Sequence, residues 1–578
     1  MALFSRASLN AFSWLNRCYC KKFMLGTSRL RSRSHVSVLS TNVQHRDNKQ
    51  SGETTLETEI TRRRSQACRS LLIQVHSSKS HNDLYNYCSQ FGRILSMHHY
   101  QINNRHNYIL IEFQDVRAIN EAMSFASFAN EDLAAPVKSS VLWFRKGQGV
   151  AQQRNNQKRV SLSVDHGCSL PSDREIAKLL CNAKSTSAQM IVLYEALKLT
   201  DLEVRLRFHT AHHLEQYFSR LFQNMKVLPF GSSINGFGRK RCDLDLVLVP
   251  DNSEERKAAS RLVFHSKSME YKDRNETKQF LAILANTMQY FIPGVLNVRK
   301  ILEARVPIIK FHYDYTHTEC DLSATNMTAI YMTELLNLYG EIDWRVRPLV
   351  IAIRVWAKCQ NITSDAPGQW ITNFPLTLLV LFYLQQKKIL PSLKTLKMHA
   401  TRTDIRCTNN GIDCTFLRDI NKLPIDYKYK PNQDSLETLL HGFFEYYSTF
   451  DFQTKGICIR EGVEIRKPSR SPLHITNPLE TTLNVCKNVT PHEVNHIITK
   501  SHDAIYTLET ADKSNSINWG IMALLKIHND TINLNKLNGM EEKAMKEYSE
   551  NHSYGVSDKL EVNEDNIDEA KTQKTETV

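Results

Sequence analysis

The chain has 578 residues, 41% of them apolar, and a formal net charge of +14. That length allows two to four domains with ample core, and the apolar fraction excludes a chain that is disordered throughout. No apolar run of about 18 residues occurs, which excludes a transmembrane helix and implies no membrane partner. Thirteen cysteines without a repeated CxxC spacing argue against a disulfide framework or a structural zinc. The charge is uneven: residues 1–46 carry eight Lys and Arg and no acid, the tail 540–578 carries a net −6, and the part between carries +12. A basic body suits a polyanionic partner such as nucleic acid.

Residues 1–46 are rich in Arg and Ser, and the first acid is Asp47. They lack the compact apolar core of a secretory signal. This is the chemistry of a mitochondrial transit peptide, which implies a matrix location. Residues 47–65 are polar and read as a linker.

Residues 66–146 read β-α-β-β-α, through SLLIQV, HNDLYNYCSQF, ILSMHHYQ, HNYILIEF and DVRAINEAMSF. This order resembles an RNA-recognition-motif (RRM) fold. Such modules hold RNA by stacking bases on sheet aromatics. Here only Tyr108 stands at an expected aromatic position, while Leu110 and Leu72 stand at the others. The module reads as degenerate, suited to protein contact, including homodimerisation, or to weak RNA binding.

Residues 147–171 read as a linker. Apolar periodicity then predicts helices across 172–225. The stretch FGSSINGFGRKRCDLDLVLVP follows. Asp243 and Asp245 are two apart, so in a strand both project from one face while Leu244, Leu246 and Leu248 face a core. Paired carboxylates repel unless a hard dication binds them. The same pattern also suits a charged edge strand. Gly231 lets the backbone approach a ligand, and Ser232 with nearby N–H groups suits phosphate oxygens. The loop is neither a Walker A motif nor a dinucleotide fingerprint. A third carboxylate, Asp321 in TECDLSATN, follows the strand PIIKFHYDY. Helices dominate from 327 to about 530. The tail from 540 has the composition of a disordered segment.

GSS, CDLDL and ECDLS in this order resemble the DNA polymerase β-type nucleotidyltransferase superfamily. Within it the chain resembles the non-standard poly(A)/uridylyl polymerases, over roughly 175–530. RPLVIAIRVWAKCQNITSDAPGQWITNFPLTLLVLFYLQ resembles the family's central helical domain. LETLLHGFFEYYSTFDF and ITNPLETTLNVCKNV resemble its PAP-associated segment. The leader and the RRM-like module in front match the mitochondrial branch of that family.

The resemblance implies an α+β fold with three parts: the RRM-like module, a palm domain with a mixed sheet over 172–330, and a helical PAP-associated domain over 331–530. The helices at 172–200 could also pack on the last of these. It implies that Asp243, Asp245 and Asp321 bind Mg²⁺ or Mn²⁺ in a two-metal site and that Gly231 and Ser232 hold the triphosphate. Lys358, assisted by Arg354, would contact phosphates, and Asn326 would lie near the ribose. Phe374, beside Asn373, occupies the place of a base-stacking tyrosine. Uridylyl-specific relatives carry a histidine where this chain has Leu483, which points to ATP. The implied activity is template-independent transfer of AMP from ATP to the 3′ ends of mitochondrial RNA, with release of pyrophosphate. Uridylyl or mixed-nucleotide transfer, 2′-5′ linkage, and a non-catalytic RNA scaffold are the alternatives.

Overall fold

The computed structural model describes residues 55–103, 105–126, 140–145, 161–164, 170–222, 225–251, 274–364, 368–408, 410–424, 432–511 and 519–525. The expected transit peptide (1–46) and charged tail (540–578) lie outside the described residues.

The first element runs through a stretch that reads as linker. Helix α1 (Leu56–Cys68) opens on Thr55, whose hydroxyl accepts the Thr58 N–H. Its polar composition hides tertiary partners: Arg64 donates to both Glu215 oxygens and to the Val227 carbonyl. Strand β1 (Ser70–Val75), helix α2 (His81–Cys88), strands β2 (Ile94–Ile102) and β3 (His106–Phe113), and helix α3 (Val116–Ser124) follow in the expected order. Two further short strands complete the sheet, β4 (Val141–Trp143) and β5 (Leu162–Val164), giving the order β4-β1-β3-β2-β5. β5 falls within the expected linker 147–171. Strand alternation divides the sheet. Leu71, Ile73, Ile109 and Ile111 pack on α2 and α3 through Leu84 and Ala118.

Three helices lead to the second sheet: α4 (Asp173–Cys181), α5 (Thr186–Leu197) and α6 (Asp201–Phe218). Reciprocal capping boxes, Ser172 with Glu175 and Thr200 with Glu203, start α4 and α6. α6 is apolar on two sides. Ala211, Leu214 and Phe218 pack on the palm sheet. Leu202 and Leu206 pack on Leu72, Tyr100, Tyr108 and Leu110, the other face of the RRM-like sheet.

The palm comprises β6 (Met225–Phe230), β7 (Leu244–Pro250), α7 (Arg274–Phe291), β8 (Val295–Ile301), β9 (Ile308–Tyr313) and β10 (Thr318–Ala324), with sheet order β6-β7-β10-β9-β8. β8 has no clear apolar alternation and most of its side chains are exposed, so it escapes sequence patterning. The sheet is mixed: β10 pairs parallel with β7 and antiparallel with β9.

Helices α8 (Met327–Ile342), α9 (Val346–Cys359), α10 (Asn373–Gln386), α11 (Leu393–Met398) and α12 (Leu436–Ser448) build the largest core. Strands β11 (Lys455–Cys458), β12 (Val463–Arg466) and β13 (Ile475–Thr476) and helices α13 (Pro491–Thr510) and α14 (Ile521–Leu525) complete it. α4 and α5 share this core through Ile176, Leu180, Met190 and Leu193, so they belong to the helical part although they precede the palm in the chain.

Candidate active site

Strand pairing assembles the carboxylates. In the parallel ladder Asp245 on β7 stands opposite Asp321 on β10, and in the antiparallel ladder Phe230 at the end of β6 stands opposite Asp245. The Gly231–Ser233 turn therefore starts beside Asp245. Gly231 has φ +68°, and a Cβ there would lie 2.5 Å from Asp245 Oδ2, so no other residue fits without displacing the carboxylate. Its N–H donates to Thr333 Oγ1 at 2.8 Å, and that hydroxyl donates to the Ala329 carbonyl. α8 thus holds the turn in place.

Asp243 is half-exposed and Asp321 less so. Lys310, opposite Asp321 on β9, lies between them, with Nζ 3.0 Å from Asp243 Oδ2 and 3.1 Å from Asp321 Oδ1. Burial alone would lower the Lys310 pKa, but the two carboxylates outweigh it and raise it. Burial, reinforced by the charges of Asp321 and Asp243, pushes Asp245 up to about 7. Burial also raises Asp321, against the pull of Lys310. Among the described residues no three His, Cys, Asp or Glu side chains stand close enough to enclose an ion as they are placed. The donor set nonetheless fits a hard divalent cation: the register sets Asp245 beside Asp321, burial and the neighbouring charges raise the Asp245 pKa, and the Lys310 ammonium bridges Asp243 and Asp321, so these carboxylates already draw positive charge.

A cleft of ≈ 390 Å³ opens beside this cluster. Of the residues singled out in the sequence, it brings together Gly231, Ser232, Asp245, Arg354, Lys358, Asn373 and Phe374. Asp243, Asp321, Asn326 and Leu483 do not line it. Asn326 caps α8 through its side chain, which accepts from the Ala329 N–H. Leu483 lies in the PAP-associated turn, where its carbonyl accepts from the Asn477 N–H. That turn is tied to the palm by a 2.7 Å ion pair between Glu480 and Arg305. Arg354 donates to Thr377 Oγ1 and to the Phe237 carbonyl, and burial lowers its guanidinium to about 10, which still leaves it charged at neutral pH. Lys358 is exposed.

Three site residues are not evident from sequence patterning. Lys310 reads as one polar position in an alternating strand, and only the β9–β10 register sets it on the carboxylates. Thr333 sits inside an apolar helix and carries no motif. Arg239, in GFGRKR, lines the cleft and adds a third cation to its wall.

Residues 186–341 match the family described as "Poly(A) RNA polymerase, mitochondrial-like, central palm domain", and residues 435–484 match "Cid1 family poly A polymerase". Over 479 residues the chain is 40% identical to the mitochondrial poly(A) RNA polymerase of Drosophila melanogaster, covering 81% of this chain and 78% of that one. The chain belongs to the mitochondrial poly(A) RNA polymerases. These enzymes polyadenylate RNA in mitochondria. The chain is also similar to mtPAP solved in complex with ATPγS, with a TM-score of 0.73 and 32% identity over 82% of this chain and 99% of that one. It matches mtPAP solved in complex with UTP with the same values.

Proposed function

We propose that Asp243, Asp245 and Asp321 are the ligands of Mg²⁺ or Mn²⁺, and that the cleft holds ATP with its triphosphate toward Gly231 and Ser232. The observation that carries this reading is the strand register that sets Asp245 beside Asp321 at the end of a cleft bordered by Gly231. When bound, the divalent ions polarise the α-phosphate and favour the ionised 3′-hydroxyl of RNA as nucleophile. The chain's own residues bind and orient. Arg239, Arg354 and Lys358 supply positive charge to a triphosphate. Phe374 offers an aromatic face to the base, and Asn373 offers an amide beside it. Asp243 faces solvent, the side from which an RNA end arrives. Lys310 pairs with Asp243 and Asp321 and compensates their charge.

The mtPAP structure with UTP means that a cleft of this family also takes a pyrimidine nucleotide in a crystal. The sequence argument for ATP, that the Leu483 side chain has no group to donate to a uracil carbonyl, is then an argument about the PAP-associated turn that Arg305 and Glu480 tie to the palm, since Leu483 itself is outside the cleft wall. Homodimerisation through the RRM-like module belongs to the same reading. The surface involved is an edge or the helical side of that module, because α6 covers the aromatic face.

Primer extension tests the proposal. The chain without residues 1–46 is given a labelled RNA, Mg²⁺ or Mn²⁺, and one nucleotide at a time, beside Asp245→Ala. Long extension with ATP, lost in the variant, is the expected result. Extension mainly with UTP would overturn the role of Leu483, and full activity of Asp245→Ala would overturn the site.

A further inference from the structure

A second cavity lies behind the catalytic sheet. Its volume is ≈ 370 Å³, close to the ≈ 390 Å³ of the catalytic cleft, and it sits where α6 meets the end of α1 and helix α3 of the RRM-like module. α6 covers the sheet face that carries Leu244, Leu246 and Leu248, and alternation along β7 puts Asp245 on the opposite face. No residue lines both cavities.

The wall of this cavity contains buried polar atoms with nothing to bond. His209 is 4% exposed and neither of its ring nitrogens has a hydrogen-bond partner; His213, 1% exposed, has none at Nε2. The Ser140 hydroxyl also has none. Unpaired buried polar groups are costly, and a roomy polar cavity is filled by something that pairs with them.

The imidazoles restrict what that something is. Burial pushes His209 and His213 down to about 3, so both are neutral. Tyr313 Oη lies 2.7 Å from His213 Nδ1, and burial keeps the phenol protonated. Either partner can donate in that bond, so His213 Nε2 is a donor or an acceptor according to the tautomer. His209 offers one donor and one acceptor, and Ser140 offers either. The one charged side chain on this lining, Arg220, is exposed, so the buried part of the wall offers a bare ion no counter-charge. Cys68 Sγ and His212 Nδ1 pair with each other at 3.6 Å, and no three metal-ligating groups among the described residues stand close enough to enclose an ion. A neutral planar group with donors and acceptors along one edge satisfies the wall. Arg220 is exposed on the same lining, to which Asn120 also contributes, and suits an anionic substituent. A nucleobase carrying a phosphate has both parts.

We propose that this cavity binds one nucleotide unit, with the base against His209, His213 and Ser140 and the phosphate at Arg220. The unit is either a free nucleoside monophosphate or an unpaired residue of an RNA strand. The wall combines α6 with the RRM-like module, so the occupant bridges module and catalytic domain.

Photolabelling of the full chain tests this. One arm uses 8-azidoadenosine monophosphate, and the other an oligoadenylate with a single 8-azidoadenosine; labelled peptides are mapped by mass spectrometry. Label is expected on the segments holding Tyr217 or Asn120, in addition to the catalytic cleft. It is expected to fall by roughly tenfold, as for loss of one charged contact, in Arg220→Ala, an exposed change that leaves the core intact, and in Ser140→Phe, which fills the cavity. Circular dichroism confirms the fold of the second variant. Label from the mononucleotide assigns a free ligand, and label from the oligonucleotide alone assigns RNA; both uphold the site. Label confined to the catalytic cleft with both probes, or undiminished in both variants, overturns it.

Discussion

Gly231 shows how little freedom the turn beside Asp245 has. A methyl group there meets both a left-handed backbone conformation and the Asp245 carboxylate. Gly231→Ala is therefore expected to lower the rate of AMP transfer on the order of a hundredfold, since small misplacements of reacting groups are that costly. Single-turnover extension measures it. Asp245 makes a second, less intuitive prediction. Its pKa in the folded chain is raised from 3.8 to about 7, chiefly by burial. A carboxyl that binds its proton more tightly when folded loses stabilising effect as pH rises from about 4 through about 7. Asp245→Asn removes that charge, so in chelator at pH 8 the variant is expected to melt several degrees higher than the parent while losing AMP transfer. Equal melting temperatures would mean that the carboxylate is not destabilised by its surroundings.

At the scale of elements, one face of the RRM-like sheet is used for packing within the chain. The face on which such modules stack bases carries Leu72, Tyr108 and Leu110 at 0%, 3% and 1% exposure, closed over by Leu202 and Leu206 of α6. Tyr100 and Tyr108 stack on each other, and the Tyr100 hydroxyl donates to the Tyr315 carbonyl in the β9–β10 turn. Of the two roles open from sequence, stacking RNA on this face is excluded by burial, and the contact with protein is made within the same chain. Leu110→Ala should cost ~2–5 kcal/mol, the range for deleting a buried leucine side chain, read as a lower denaturant midpoint. Tyr108→Phe keeps the packing and should leave RNA affinity unchanged in a filter-binding titration. The module's degenerate aromatic pattern is the sequence trace of this burial: a face that packs on a helix needs leucines as much as rings.

For the whole molecule, charge and buried histidines set the response to solution conditions. A chain of net charge +14 that holds an RNA backbone should lose affinity linearly in log salt concentration, with a slope that counts the phosphates neutralised. A salt-independent affinity would remove the electrostatic account. His209 and His213 are held near 3 by burial. A histidine whose pKa is depressed on folding costs stability as pH falls from about 6.5, its unfolded value, toward 3. The chain is therefore expected to be acid-labile below about pH 6. His209→Gln should shift the acid unfolding midpoint downward, measured by fluorescence.

Local chemistry, written in short runs, was legible without coordinates: Gly231 and Ser232 before Asp243 and Asp245, Asp321 on a later strand, and the alternating and helical periods of the elements that carry them. These depend on residue type and spacing along one strand or turn, which the chain order contains. The tertiary structure decided which strands became neighbours. That choice set Lys310 on Asp243 and Asp321, hung the glycine turn on Thr333, and placed Asn326 and Leu483 outside the cleft wall. It turned 56–65 from apparent linker into most of a helix held by Arg64, and gave the RRM-like sheet to α6. Each of these is a pairing between residues distant in the chain. Its free energy comes from burial and charge compensation between surfaces that no local pattern records.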